Sequence, residues 1–488
     1  MLEVEKMFLT IDRLEQRVHE LEKYRFVDMK TLAPMEAMPG GLEKDEVYHE
    51  MPEEIKGLHL QIGDDFAGRD RYLWVRKKVK IPKHQDGYEA YGLFNFGKTG
   101  DALLSGFESL LYVDGQPYQG VDTFHHDVNF ESLADRNVEL TFLLWTGLEG
   151  GGPKREFCHR FRQADIGYLH LATDELYYLT KAMAETLRYM EDANPDKYVL
   201  IRALEHVFAT INWDEDGFYV SAENALAVLK NELRAFPKKS NVTVNVVGHT
   251  HIDVAWLWRL KHTREKIQRS FSTVLRLMSE FDDYVFLQSQ PQLYQYLQKD
   301  NPVLYEQIKK RIAEGRWEAD GGMWLEADCN ISSGEALIRQ FLYGIRFFKK
   351  EFGRRCEFLW LPDVFGYSWA LPQILNGVEI HSFVTTKISW NQFNSMPHDL
   401  FRWRGMDGSE VITYFISTPS EGETFDKRMA TYNGMMNPHS VIGSWEKFHD
   451  KNLSNETLIS YGFGDGGGGV NREMLKMRRA MESIPGLP

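Results

Sequence analysis

The chain is predicted to be a multidomain α/β and β protein. It would comprise an N-terminal amphipathic helix, an antiparallel β-sandwich, a helical linker and a seven-stranded parallel, barrel-like α/β domain. Three observations predict this. The length of 488 residues exceeds what one hydrophobic core organises. Between residues 35 and 165, alternating apolar and polar stretches are punctuated by hairpin dipeptides. From residue 241 onward, short apolar runs alternate with segments of helical periodicity, the pattern of parallel strands joined by crossover helices in a barrel or a wound sheet.

The first segment, 1–30, places apolar residues at Val4, Met7, Ile11, Leu14, Val18 and Leu21, three and four apart in turn, as on a helix seam. Docking on the rest of the chain and a homo-oligomer contact fit that seam equally. In the segment 35–165, Asp86-Gly87 and Asp114-Gly115 are typical hairpin turns. The segment 166–240 repeats Leu176, Leu179, Met183, Leu187 and Met190 at helical spacing, with Pro195 marking a break and Pro237 opening a polar linker. The segment 241–488 has strand candidates at 242–247, 285–288, 316–319, 357–361, 382–386, 411–415 and 457–461. Helical stretches at 263–281, 304–314 and 335–351 separate the early ones.

Composition narrows the function classes. The formal net charge of −14 argues against a nucleic-acid surface and an anionic membrane partner. No stretch approaches the roughly 18 uninterrupted apolar residues of a membrane span. Three cysteines, Cys158, Cys329 and Cys356, outline no disulfide framework, so a cytoplasmic setting is expected.

In parallel α/β folds, chemistry gathers beyond the carboxyl ends of the strands. The first candidate strand is followed by His249, His251, Asp253 and Trp256, the fourth by Asp363, Phe365 and Tyr367, and the fifth by Lys387. The seventh is followed by Gly462-Phe463-Gly464-Asp465-Gly466-Gly467-Gly468-Gly469, which lacks the Gly-Lys-Ser/Thr of a phosphate loop. Imidazole and carboxylate oxygens are common zinc ligands, and metal ligation is preferred for His251 and Asp253 over a strand-end hydrogen-bond pair. Each of the others has a structural alternative. Asp363 suits a helix N-cap, Asp465 suits a plain flexible loop, and Lys387 suits a helix start. A metal flanked by two aspartates and aromatic rings suggests glycoside hydrolysis with two carboxylates.

The runs His249-Thr-His251-Ile-Asp253-Val-Ala-Trp256-Leu-Trp258 and Trp360-Leu-Pro-Asp363-Val-Phe365-Gly-Tyr367 resemble class II α-mannosidases, glycoside hydrolase family 38. The segment running from Gly321 to Asp328, together with Ser333-Gly334-Glu335, is similar to the same family, and the glycine-rich run around Asp465 resembles especially its cytosolic and bacterial branch. The resemblance implies a retaining, zinc-dependent exo-α-mannosidase acting on α-mannoside oligosaccharides. His251 and Asp253 would bind zinc, or another divalent cation. Asp363 would both ligate the metal and attack the anomeric carbon, and Asp465 would be the general acid. Trp256, Phe365, Lys387 and Asp328 would contact the sugar.

The family's fourth zinc ligand is a histidine in a downstream helical motif that does not occur before Pro488. The chain is therefore expected to be an amino-terminal portion, with His249 or His262 as substitutes for that ligand. Two other readings remain at this stage. One is a metal-dependent deacetylase or amidohydrolase working through a metal-bound water. The other is a non-catalytic carbohydrate-binding fragment that uses the segment 35–165.

Overall fold

The structure, a computed structural model, describes residues 2–41, 49–97, 107–148 and 157–488. Its first half is built on antiparallel sheets. Four strands, Phe26–Thr31, Gln163–His170, Tyr88–Asn95 and Asp127–Asn129, form one sheet in that spatial order. Six more form the second, in the order Leu58–Leu60, Met35–Gly40, Tyr72–Lys80, Asn137–Trp145, Glu108–Val113 and Gln116–Asp122. Val75, Leu111, Val121 and Phe142 from the six-stranded sheet meet Phe94, Val128 and Ile166 from the four-stranded one in a common apolar core. The Asp114-Gly115 turn closes its hairpin with both residues left-handed, at φ 50° and 78°. A two-residue hairpin needs this to match the twist of its strands.

The sheets extend past 35–165 at both ends, because Phe26–Thr31 pairs with a strand that runs on to His170. An irregularity between Val27 and Lys30 interrupts the alternation there, which hides the strand from a pattern reading.

Three helices follow, Leu171–Leu187, Pro195–Thr210 and Phe218–Ala235. Pro195 opens its helix, where the missing N–H costs nothing, and Asn194 caps it by accepting from the Asp196 N–H at 3.0 Å. The first helix, Leu2–Glu22, packs on this group, and Ile11, Leu14, Val18 and Leu21 share one core with Leu176, Met183 and Leu204. Over these turns the seam is therefore a docking face on the chain itself. The side chains of Val4 and Met7 lie outside the described residues.

The second half contains all seven expected parallel strands, in two groups. Trp317–Glu318, Phe286–Leu287, Thr243–His249 and Glu456–Tyr461 pair in that order. Phe358–Leu361, Ser382–Thr385 and Glu410–Phe415 form the other group, extended by the antiparallel strand Leu400–Arg404. Between the groups run isolated bonds, from the Trp360 N–H to the Gly321 carbonyl at 3.3 Å and from the Leu458 N–H to the Tyr414 hydroxyl at 2.9 Å. The helix Leu260–Glu280 joins the two halves of the molecule, since Thr273 Oγ1 on it accepts from the Gly120 N–H of the six-stranded sheet at 2.9 Å.

Candidate active site

The strand Thr243–His249 delivers two histidines with opposite roles. His249 is buried with both ring nitrogens engaged: Nδ1 lies 2.9 Å from the Leu287 carbonyl, and Nε2 accepts from Trp360 Nε1 at 3.3 Å. Burial pushes its pKa down to about 3, so the ring is a neutral tie between neighbouring strands. His262 is equally committed, accepting from the Arg259 N–H at 3.0 Å and meeting Asp70 Oδ1 at 3.0 Å while its ring stacks on Trp145. Neither histidine has a nitrogen left to act as a substitute metal ligand.

His251 faces the other way. Its Nε2 lies 3.3 Å from Asp253 Oδ1 and 3.5 Å from Asp363 Oδ2, and its Nδ1 lies 3.1 Å from Glu326 Oε1. One ligand atom each from His251, Asp363 and Asp465 falls within 4.8 Å of the others. Asp253 stands outside that group of three and joins it through His251. Both His251 nitrogens, both Glu326 oxygens and Asp363 Oδ1 are buried without a well-angled hydrogen bond. Buried polar atoms are rarely left in that condition, and a divalent cation is a partner that satisfies imidazole and several carboxylates together. The donor set therefore fits a metal. Burial disfavours a charged imidazole, but the Glu326 and Asp253 carboxylates outweigh it and hold His251 well above the usual histidine range.

Asp363 sits in the loop after Phe358–Leu361 and caps no helix; the next one begins at Leu371. Tyr367 pins this loop, its hydroxyl donating to the Val364 carbonyl at 2.5 Å and meeting Thr385 Oγ1. Gly366 permits the close approach, since a Cβ there would lie 1.9 Å from the Asn330 amide. Lys387 Nζ reaches Asp363 Oδ1 at 2.8 Å and sits 3.7 Å from the centre of the Trp390 ring.

Asp465 is left-handed at φ 51° in a turn, not a loose loop. Its Oδ1 accepts from the Tyr432 hydroxyl at 2.7 Å and its Oδ2 from Asn433 Nδ2 at 3.3 Å. Burial raises its pKa, and the Asp253 and Asp363 carboxylates add to the rise against the opposing pull of His251 and Tyr432. The turn is held from both sides: the Gly466 N–H donates to the His251 carbonyl at 3.2 Å, and Arg269 donates to the Gly466 carbonyl at 2.8 Å. Arg269 in turn pairs with Glu108 on the six-stranded sheet.

Trp256 and Phe365 present their rings to solvent, at 50% and 73% exposure. Asp328 turns back on its own loop, with Oδ1 accepting from the Asn330 and Ile331 N–H groups at 2.9 and 2.7 Å. The acidic group that reaches His251 from this segment is Glu326, two residues earlier. Sequence reasoning missed it, although it lies inside the segment quoted for its resemblance. Tyr432, Asn433 and Arg269 carried no local signal.

An α/β protein with paired carboxylates at its strand ends and exposed aromatic rings on the same loops has the make-up of a glycoside hydrolase. Residues 241–488 match the family described as the N-terminal domain of glycosyl hydrolases family 38, and the chain belongs to that family. Alpha-mannosidase G of Dictyostelium discoideum is 42% identical over 446 residues, covering 89% of this chain and 39% of that protein. Human alpha-mannosidase 2C1 is 31% identical over 442 residues, covering 88% and 40% respectively. An alpha-mannosidase of Saccharomyces cerevisiae is 40% identical over 249 residues, covering 50% and 22%. The chain thus spans about two fifths of the length of the first two relatives.

Proposed function

We propose that the chain carries the sugar-cleaving centre of a retaining exo-α-mannosidase acting on terminal α-linked mannose, in a cytoplasmic setting. The observation that supports retention most directly is the carboxylate spacing. Oxygens of Asp363 and Asp465 lie within 4.8 Å of each other. Retaining enzymes hold their pair roughly 5–5.5 Å apart, whereas inverting enzymes leave roughly 6.5–9.5 Å for a water.

In this reading Asp363 attacks the anomeric carbon as the bond to the leaving oxygen breaks, and Asp465 gives its proton to that oxygen. Asp465 then takes a proton from water, which attacks the same carbon and releases Asp363. Burial suits Asp465 to the acid role, because a raised pKa keeps the proton available. Lys387 orients Asp363 through the ion pair to its Oδ1. Trp256 and Phe365 offer faces for the sugar ring. His251, Asp253 and Asp363 would hold a divalent cation, zinc by the family resemblance, and Glu326 would orient His251 from its other nitrogen. When bound, that cation supplies positive charge beside the nucleophile and a grip on sugar hydroxyls. The same reading closes the seven parallel strands into a barrel, packs the antiparallel sheets from Phe26 to His170 as a sandwich, and places the α/β domain at 241–488.

Treating the full-length protein with a mechanism-based fluoromannoside and digesting it should yield a mannosyl label on Asp363. Turnover of acetylated or cyclic-amide substrates with no label on Asp363 would favour the metal-bound-water reading and overturn this one.

A further inference from the structure

Asp465 lies in a turn that has little of its own to hold it. Of the eight residues from Gly462 to Gly469, six are glycine, and only Phe463 and Asp465 carry side chains. Glycine loses the most conformational freedom when fixed, so a turn of this make-up keeps one shape only where neighbours grip it. On the inner side, Thr250 Oγ1 donates to the Phe463 carbonyl at 3.2 Å, beside the Gly466 bond to the His251 carbonyl. The single apolar handle is the Phe463 ring, two residues before the acid.

That handle is taken by the antiparallel half of the molecule. A turn through Thr123 and Phe124 follows the strand Gln116–Asp122. Phe124 lies flat on Phe463, with ring centres 3.8 Å apart and planes 12° from parallel. Asn471 Nδ2 donates to the Phe124 carbonyl at 3.3 Å.

The next residue, His125, is buried and grips the far end of the glycine run. Its Nδ1 donates to Asp122 Oδ1 at 2.8 Å and its Nε2 to the Val470 carbonyl at 3.0 Å. Asp122 Oδ1 also accepts the Phe124 and His125 N–H groups at 2.9 and 3.1 Å, which fixes the turn that presents the Phe124 ring. The fit is close, because Gly468 is left-handed at φ 95° and a Cβ there would lie 2.8 Å from His125 Cε1. Asp363 is held separately, by Lys387 and by the loop that Tyr367 pins.

We propose that Phe124 and His125 are positioning residues for Asp465, so that the antiparallel half sets the reach of the proton donor to the leaving oxygen. Phe124 acts through the Phe463 ring and His125 through the Val470 carbonyl. The proposal rests on the reading of Asp465 as the general acid and deepens it.

The test compares two α-mannosides in the full-length protein, one releasing phenol and the other 2,4-dinitrophenol. Dinitrophenolate leaves without a proton, whereas phenol needs one. The ratio of the two kcat/KM values therefore reads proton donation apart from nucleophilic attack and from the amount of folded enzyme. Asp465→Ala, as reference, should raise the dinitrophenyl-to-phenyl ratio about 10²–10⁴-fold. Phe124→Leu, which keeps apolar bulk but loses the flat ring, should raise it about tenfold, and Phe124→Tyr should return it to within about twofold of the unaltered protein. His125→Asn keeps a donor toward Asp122 and loses the one toward Val470, and it should move the ratio the same way. A ratio shifted in only one of Phe124→Leu and His125→Asn removes the other residue from the role. A ratio unmoved in both, while Asp465→Ala raises it, overturns the positioning proposal. A ratio unmoved in Asp465→Ala overturns instead the acid assignment beneath it.

Discussion

Two buried charged clusters in this molecule contrast sharply in how their charges are matched. Around Asp174, between the antiparallel sheets and the helices, every oxygen is matched. Oδ1 accepts from Arg25 at 3.0 and 2.8 Å and from Arg472 at 3.1 Å, and Oδ2 accepts from Arg472 at 2.6 Å and meets Lys476 at 2.9 Å. Burial alone would raise that carboxyl, but Arg472, Lys476 and Arg25 hold it well below the usual carboxylate range. At the strand ends, His251 meets Asp253, Glu326 and Asp363 with its own nitrogens and both Glu326 oxygens lacking well-angled hydrogen bonds. The difference separates structural charge from functional charge. A scaffold network satisfies its carboxylate from within, whereas a working site keeps acids and imidazole nitrogens aimed at something the chain does not supply.

Substitutions should split along that line. The largest effect is expected for Asp363→Asn in the full-length protein, where turnover should fall by at least about four orders of magnitude while the melting temperature stays put. Retained turnover in a steady-state assay would remove Asp363 from the nucleophile role. Asp174→Ala should do the reverse. Stranding Arg25 and Arg472 in the interior should cost about 3–5 kcal/mol in urea unfolding, with metal content unchanged.

A smaller, pH-dependent effect sharpens the contrast between matched and unmatched carboxylates. Asp320 is buried with only the Gly321 and Glu357 N–H groups and a thiol around it, and burial raises its pKa to about 6. A carboxyl that holds its proton longer when folded loses stability as pH climbs from its ordinary value through the folded one. Unfolding free energy should therefore decline between about pH 4 and 6 through this group, and Asp320→Asn should flatten that part of the curve. The Asp174 contribution has the opposite sign, being present above the ordinary carboxylate range and lost only in strong acid.

The subtlest change concerns Tyr432, whose hydroxyl stabilises ionised Asp465. Tyr432→Phe should raise the acid's pKa further and move the alkaline limb of the rate profile to higher pH. An unmoved limb would show that Asp465 is not the proton donor.

The two halves were not equally legible in the sequence. The seven parallel strands announced themselves as apolar runs, and the rule that chemistry follows strand ends brought His251, Asp363 and Asp465 to one place. Leu400–Arg404 was missed because a short alternating strand between loops looks like any polar connector. His249 was overread, since a strand-end histidine looks the same in sequence whether it faces a carbonyl or a cavity. Glu326 was overlooked for Asp328 because a loop has no periodicity to tell which of two nearby acids turns inward. Arg269 reaches the Asp465 turn from a distant helix, a contact that only tertiary packing reveals.

The claim beneath all of this is that His251, Asp253 and Asp363 grip a divalent cation. Crystals of this chain grown with zinc and measured at the zinc absorption edge test it most directly. The account predicts an anomalous peak between His251 Nε2 and the Asp363 carboxylate, lost in His251→Ala. A featureless map at that point, with Asp363 still bound to Lys387 alone, would contradict it.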